Sequence, residues 1–406
     1  MKSLTKNSLD RVATKLSHRL HLDLHHYETA HGIGGNSNRG DIAIRMAIRE
    51  QLTQAFAPRP VKFLEVKWGE LTDYATAEIN ASCDIFVIGG GGYIFLAADG
   101  SLGHMLASVE ELDKIRCPVF AYGIGLNRLL HEKICGLDEL PEISRQKIRY
   151  LSRRCELISV RDHETARLFE LYAGRLVAVT GDPVLSCAPS ARLVATRASD
   201  RPRIGVNLAA HGWRSLSILK PLLPAIIAFL ENIQRTHNAE LVYLQHHDLE
   251  RPIIDFLHER GLKFETICGT PADLLEGYAG TDFVICQMLH ACIFAATAGR
   301  PFLNIAYDDK SIAFGNLLDV PEFCLPHTGV KLDVLESRFA SLFQDRHGLH
   351  DRLEARKRDL AATQLRFADA FTARALILAS QYDFAGKDDQ PGDLPYSSEA
   401  EIGAIM

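Results

Sequence analysis

Short apolar runs alternate with helix-length amphipathic stretches along most of the 406 residues, and this alternation most limits what the chain can fold into. It specifies parallel strands joined by crossover helices. In the first half the predicted strands are "VKFLEV" (61–66), "DIFVIGG" (84–90), "PVFAYGI" (118–124) and "LISV" (157–160), with a weaker candidate, "LDLHHYETA", ahead of residue 31. The segment 186–202, "SCAPSARLVATRASDRP", has neither the strand nor the helix period and is rich in Ser, Ala, Arg and Pro, which reads as a linker. The alternation then restarts with "RIGVNLA" (203–209), "AELVYLQ" (239–245), "DFVIC" (282–286) and "PFLNIAY" (301–307).

The expected fold is α/β, with two doubly wound, Rossmann-like parallel-sheet domains at 1–185 and 203–330. Residues 331–384 are expected to form helices that pack back toward the first domain. The acidic, Pro- and Gly-containing stretch 385–406 is expected to be disordered. A hydrophobic content of 47% over this length is enough for two cores. The net charge of −6 argues against nucleic acid or an anionic membrane as partner. Nine scattered cysteines without a C-x-x-C pair fit reduced thiols and no structural zinc. The N-terminus lacks a continuous apolar core, and the reading finds no transmembrane segment, so the expected location is the cytoplasm.

In doubly wound domains ligands bind beyond the carboxyl ends of the strands, so the loops there are where chemistry is expected. The first is "HGIGGNSNRGDIAIRMAI" (31–48), which runs from glycines into a helix with Asp41 as a candidate N-cap. It fails as a dinucleotide fingerprint, since Gly32, Gly34 and Ser37 leave the third glycine missing. The second is the run Gly89–Gly92 after "DIFVI", which implies close approach either by a ligand or by another segment of backbone. In the third, "SVRDHETARLF", Arg161 either offers its fork of donors to an anion or pairs internally while Asp162 caps a helix. The fourth, "QMLHACIFAATAGRPFLNIAYDDK", puts His290 at a helix start, where a neutral imidazole suits proton transfer, with Tyr307 and Lys310 after the next strand. "QHHDLE" (245–250) ends another strand, but adjacent histidines point apart and no third ligand accompanies them, so no metal is assigned.

Six segments in this order, "GGNSNRGDIAI", "DIFVIGGGGYIF", "FAYGIGLN", "SVRDHETARLFELYAG", "VTGDPVL" and "QMLHACIFAATAGRPFLNIAYDDK", resemble the polysaccharide pyruvyl transferase family over residues 31–320. The resemblance implies a glycosyltransferase-B-like fold. It also implies transfer of the enolpyruvyl carbons of phosphoenolpyruvate (PEP) to two hydroxyls of a sugar, in a polymeric or lipid-linked glycan, as a cyclic ketal. By position His290 matches the family histidine as proton donor or acceptor, Arg161 an anion clamp and Asp41 an acceptor lining the cleft. The residues expected around the substrates are Asn36, Asn38, Arg39, Gly90, Gly91, Gly92, Tyr93, Asn127, His247, Gln287, Tyr307 and Lys310. PEP is the donor substrate, no further cofactor is implied, and a homo-oligomer is left open. One departure stands out, because the family usually reads Arg-Leu-His where this chain has Met288-Leu289-His290. Met cannot pair with phosphate. Either Lys310 or Arg39 supplies the cation, or the chain uses another donor such as a nucleotide sugar, or it is a non-catalytic homologue.

Overall fold

The computed structural model describes residues 38–64, 73–102, 109–130, 135–187, 201–210 and 213–384. The weak strand before residue 31, Asn36, most of the linker and the acidic tail lie outside the described residues.

The N-terminal half begins with α1 (Arg39–Phe56) and α2 (Asp73–Ser82), followed by β1 (Phe86–Phe95) and β2 (Val119–Asn127). Then come α3 (Glu142–Arg154), β3 (Cys155–Val160), α4 (His163–Ala173) and the short β4 (Ala178–Val179). The four strands form one parallel sheet in the order β1-β2-β3-β4. Residues 61–64, expected to start a strand, are irregular. The glycine run lies inside β1 rather than after it. Gly90 and Gly91 take φ of +47° and +78°, and the pairing with β2 shifts register between Gly91 and Ile94, which is a bulge that only residues without a Cβ adopt cheaply.

The C-terminal half runs through β5 (Arg203–Asn207), α5 (Trp213–Leu219), α6 (Leu223–His237), β6 (Glu240–Leu244), α7 (Arg251–Glu259) and β7 (Phe264–Ile267). It continues with α8 (Pro271–Ala279), β8 (Phe283–Cys286), α9 (Leu289–Thr297), β9 (Phe302–Ala306), α10 (Asp309–Leu317) and β10 (Cys324–Pro326). Its six strands are parallel, in the order β10-β9-β8-β5-β6-β7. That is the doubly wound order, with the switch point between β5 and β8. The chain is therefore α/β with two separate parallel sheets. Strands β4, β7 and β10 were not anticipated, because each is short and carries little apolar signal.

The stretch Ser215–His237 is, by length and composition, apolar enough to cross a bilayer, which corrects the reading that none is. It is broken into α5, a single tight turn and α6, with Pro221 and Pro224 at the joins, and Ile226, Phe229, Leu230 and Ile233 are buried in the protein core.

Two helices end the described residues, α11 (Leu332–Gln344) and α12 (Arg346–Phe384). The long α12 returns to the N-terminal sheet. Phe371, fully buried, packs with its ring centroid 4.4 Å from that of Phe120 and 6.3 Å from that of Phe56. Gln364 donates to the carbonyls of Thr180 (3.0 Å) and Asp182 (2.8 Å) and accepts from Gln51 (3.1 Å). Burial of a side chain such as Phe371 contributes roughly 2–3 kcal/mol. These contacts hold the loop after β4 in one position, and that loop borders the site described next.

Candidate active site

The site lies where the starts of α1 and α9 meet. Asn38, not Asp41, caps α1, since its side chain accepts the Gly40 N–H at 3.1 Å. The expected substrate contact at Asn38 is thus a cap, and Asp41 in the first turn is left to meet His290. His290, in the first turn of α9, brings Nε2 to 3.5 Å from Asp41 Oδ1. The ring packs so tightly on α1 that a Cβ at position 40 would fall 2.1 Å from His290 Cγ. Gly40 is required by this approach.

Asp41 is 18% exposed. Burial pushes its carboxyl up to about 7, Lys310 works against that shift, and Asp182 adds to it. Near neutral pH the group therefore exists in both acid and base forms, as a proton-transfer group must. On the bulge of β1, Gly91 is required by its φ of +78°, and a Cβ there would only touch Asp41 Oδ1, at 3.9 Å. Gly90 instead admits Ile44 of α1, whose Cγ2 would be 2.1 Å from a Cβ, so close packing of helix on strand explains that glycine. Gly92 faces the side chain of Asn127 at the end of β2.

A partly open cleft next to this contact, too tight in this conformation to admit a water molecule, is lined by Arg161, Asp162, Asp182, Leu289, Ile293, Lys310 and Phe314. Three aspartates nearby start helices. Asp162 accepts the Thr165 N–H (2.7 Å), Asp182 that of Val184 (3.0 Å) and Asp308 that of Ser311 (3.0 Å). Lys310 Nζ sits 3.3 Å from Asp308 Oδ2. Arg161 does not present an open fork. Its Nη2 donates to the Leu126 carbonyl at 2.6 Å, its Nε is 3.5 Å from Asp162 Oδ2, and the side chain is about 5% exposed. A Cβ at Gly125 would be 2.0 Å from Arg161 Nε, so the arginine is built into the strand ends. It serves as a fixed positive charge at the cavity wall, which corrects the expectation of a bidentate clamp.

Other predicted residues lie elsewhere. Arg39 ties the halves together, with its Nη1 2.7 Å from Asp248, its Nε donating to the Gly269 carbonyl (3.1 Å) and its backbone N–H donating to His246 O (3.1 Å). His247 accepts the Leu249 N–H at Nδ1 (3.0 Å), and burial holds its imidazole below the usual range. Tyr93 is buried in the N-terminal core and Tyr307 in the C-terminal one, where the Tyr307 carbonyl accepts the Leu130 N–H (3.1 Å). Gln287, fully buried, accepts the Ala209 N–H at 2.9 Å and braces a loop. None of these three lines the cavity.

Asp182 and Glu250 were not singled out from the sequence. Glu250 is fully buried 3.1 Å from Asn207 Nδ2, and burial raises its carboxyl well above the carboxylate range. For Asp182 a signal existed in "VTGDPVL", an acid followed by Pro just past a strand.

The family model described as polysaccharide pyruvyl transferase matches residues 38–309, two thirds of the chain, a segment that carries Asp41, Arg161, Asp182 and His290 and ends just before Lys310. This chain belongs to the polysaccharide pyruvyl transferase family. No curated protein matches it. Among solved structures, this family member is similar to a putative UDP-N-acetylglucosamine 2-epimerase from Listeria monocytogenes, with 14% identity, a TM-score of 0.51 and coverage of 93% of this chain and 99% of that one. It is also similar to S. aureus MnaA in a co-structure with UDP (13% identity, TM-score 0.50, 93% and 100% covered). A third is the UDP-GlcNAc 2-epimerase of Methanocaldococcus jannaschii in complex with UDP-GlcNAc and UDP (10% identity, TM-score 0.50, 79% and 91% covered). At these identities the likeness is one of fold, the glycosyltransferase-B-like pairing of two sheets. Met288 of this family member is 3% exposed within the C-terminal core. Of the cations acting on Asp41, which include Arg45 and Arg161, Lys310 acts most strongly.

Proposed function

We propose that this family member transfers the three-carbon unit of PEP to two hydroxyls of a sugar in a glycan or glycan precursor, as a cyclic ketal. The observation that carries this reading is the His290–Asp41 contact of 3.5 Å between the two halves, with the Asp41 carboxyl poised at about 7. The reaction adds a proton to the methylene carbon of PEP, bonds two sugar oxygens to its C2 and releases phosphate. Two hydroxyl protons are lost. One ends on the new methyl group and the other leaves with phosphate, so no oxidant, metal or further cofactor enters the balance.

In this reading Asp41 in its acid form protonates the methylene carbon and His290 takes the proton of the first hydroxyl, after which the pair re-equilibrates. Lys310 and the internally held Arg161 supply the positive field for the carboxylate and phosphate, standing in for the arginine that Met288 replaces. A cytoplasmic site of action belongs to the same proposal.

Thermal unfolding with PEP, UDP or UDP-GlcNAc tests the donor. PEP at about a hundred times its Kd adds about 2.7 kcal/mol of stability, and phosphate release with a panel of 4-nitrophenyl hexopyranosides then tests the chemistry. Stabilisation by UDP or UDP-GlcNAc without any by PEP would replace this reading with a nucleotide-sugar-dependent one.

A further inference from the structure

The three capping aspartates around the cavity are not equivalent. Each gives Oδ1 to a backbone N–H, which leaves Oδ2. In Asp162 that oxygen faces Arg161 Nε at 3.5 Å, and in Asp308 it faces Lys310 Nζ at 3.3 Å. In Asp182, which is fully buried and lines the cavity, Oδ2 has no hydrogen-bond partner and no ion pair among the described residues. A buried carboxylate oxygen without a partner costs stability. The surrounding backbone does not let it turn away, because Gln364 holds the carbonyls of residues 180 and 182, and Gln51 donates to the Pro183 carbonyl at 3.1 Å.

We propose that Asp182 is a second proton-handling group of the site, whose unpartnered Oδ2 takes the proton of the second sugar hydroxyl and hands it to the departing phosphate. The inference rests on the pyruvyl-transfer reading and completes its balance. The O–H bond of the second hydroxyl breaks, its oxygen bonds to C2, the bond from C2 to the phosphate oxygen breaks, and the proton travels with that oxygen by way of Asp182. The Asp41–His290 pair handles the first proton, and Asp182 handles the second. The charged and titratable groups around Asp182 among the described residues are Arg161, Asp162, Asp41, Lys310 and Cys187. Burial lifts the Asp182 carboxyl to about 6, against the pull of the Val184 N–H and of Arg161, which keeps it a base above that pH and a usable acid near it.

Two readouts separate the steps. Exchange of the PEP methylene hydrogens with D2O in the presence of the hexopyranoside panel reports the first protonation, and phosphate release reports completion. Asp182→Asn keeps the cap and the volume, and Asp182→Ser, which also caps a helix, serves as the second variant. Both are expected to retain exchange within about threefold of the parent while phosphate release falls by about 10²–10⁴-fold. The acidic limb near pH 6 should vanish from what release remains. His290→Gln is expected to lose exchange and release together. Parallel loss of both readouts in the Asp182 variants, or release close to that of the parent, would overturn the assignment. A parent protein that neither exchanges nor releases phosphate overturns the pyruvyl-transfer reading, and the inference falls with it.

Discussion

The two halves build their walls of the site in opposite ways. The C-terminal half projects side chains, His290 from the first turn of α9 and Lys310 from that of α10. The N-terminal half makes room for the His290 ring at Gly40, and a second missing Cβ, at Gly125, admits its own Arg161. Its own charged groups, Arg161 and Asp182, are fixed by backbone bonds at strand ends and helix caps. The His290–Asp41 contact between the two halves thus needs a projection on one side and a missing Cβ, at Gly40, on the other. Either can be broken separately.

The largest expected effect comes from removing the projection. His290→Gln preserves volume and hydrogen bonding but cannot shuttle a proton, so turnover should fall by roughly 10²–10⁴ with PEP affinity nearly unchanged. Isothermal calorimetry with PEP and the phosphate-release rate check both parts. A variant with parental turnover would move proton transfer to another residue.

Next is the charge that the N-terminal wall holds. The folded-state carboxyl of Asp41 titrates at about 7 instead of 3.8, so the folded form binds its proton more tightly than the unfolded form. That contribution to stability is full below the ordinary carboxylate range and is lost as pH rises through about 7. Asp41→Asn removes the loss. Denaturant unfolding should find parent and variant converging near pH 4, with the variant gaining relative stability up to pH 8 by at most about 4 kcal/mol. A difference that does not change with pH would show that Asp41 is not held in this way.

The smallest effect comes from filling a hole. Gly125→Ala places a methyl group against the Arg161 guanidinium, and overpacking of this kind costs typically 1–3 kcal/mol. Because Arg161 is pinned to the Leu126 carbonyl, the strain should appear as lost stability together with a weaker hold on PEP, whereas Gly174→Ala, where a Cβ meets nothing within 4 Å but φ is +61°, should cost stability alone. Equal PEP affinity in parent and Gly125→Ala would separate Arg161 from donor binding.

The strand–helix alternation alone determined the α/β class and most strands of both parallel sheets, because burial on both faces writes an unbroken apolar run into each central strand. It also placed His290 at a helix start after a strand and Lys310 just past the next strand, whereas the cap of α1 expected at Asp41 is Asn38. The sequence could not say which of two readings each loop residue followed, since that depends on what the opposite half brings near. "GGGG" within β1 is partly a helix contact, because Ile44 arrives from α1. Arg161 turned inward because Leu126 and Asp162 sit within its reach. Gln287 and Tyr307 follow strands as well as His290 does, and Tyr93 lies inside β1, yet the pleat and the local loops bury all three. Asp182 was hidden because its distinction is an oxygen that nothing satisfies. Periodicity records which face of an element is buried. A missing partner belongs only to the assembled neighbours, and tertiary structure alone decides it.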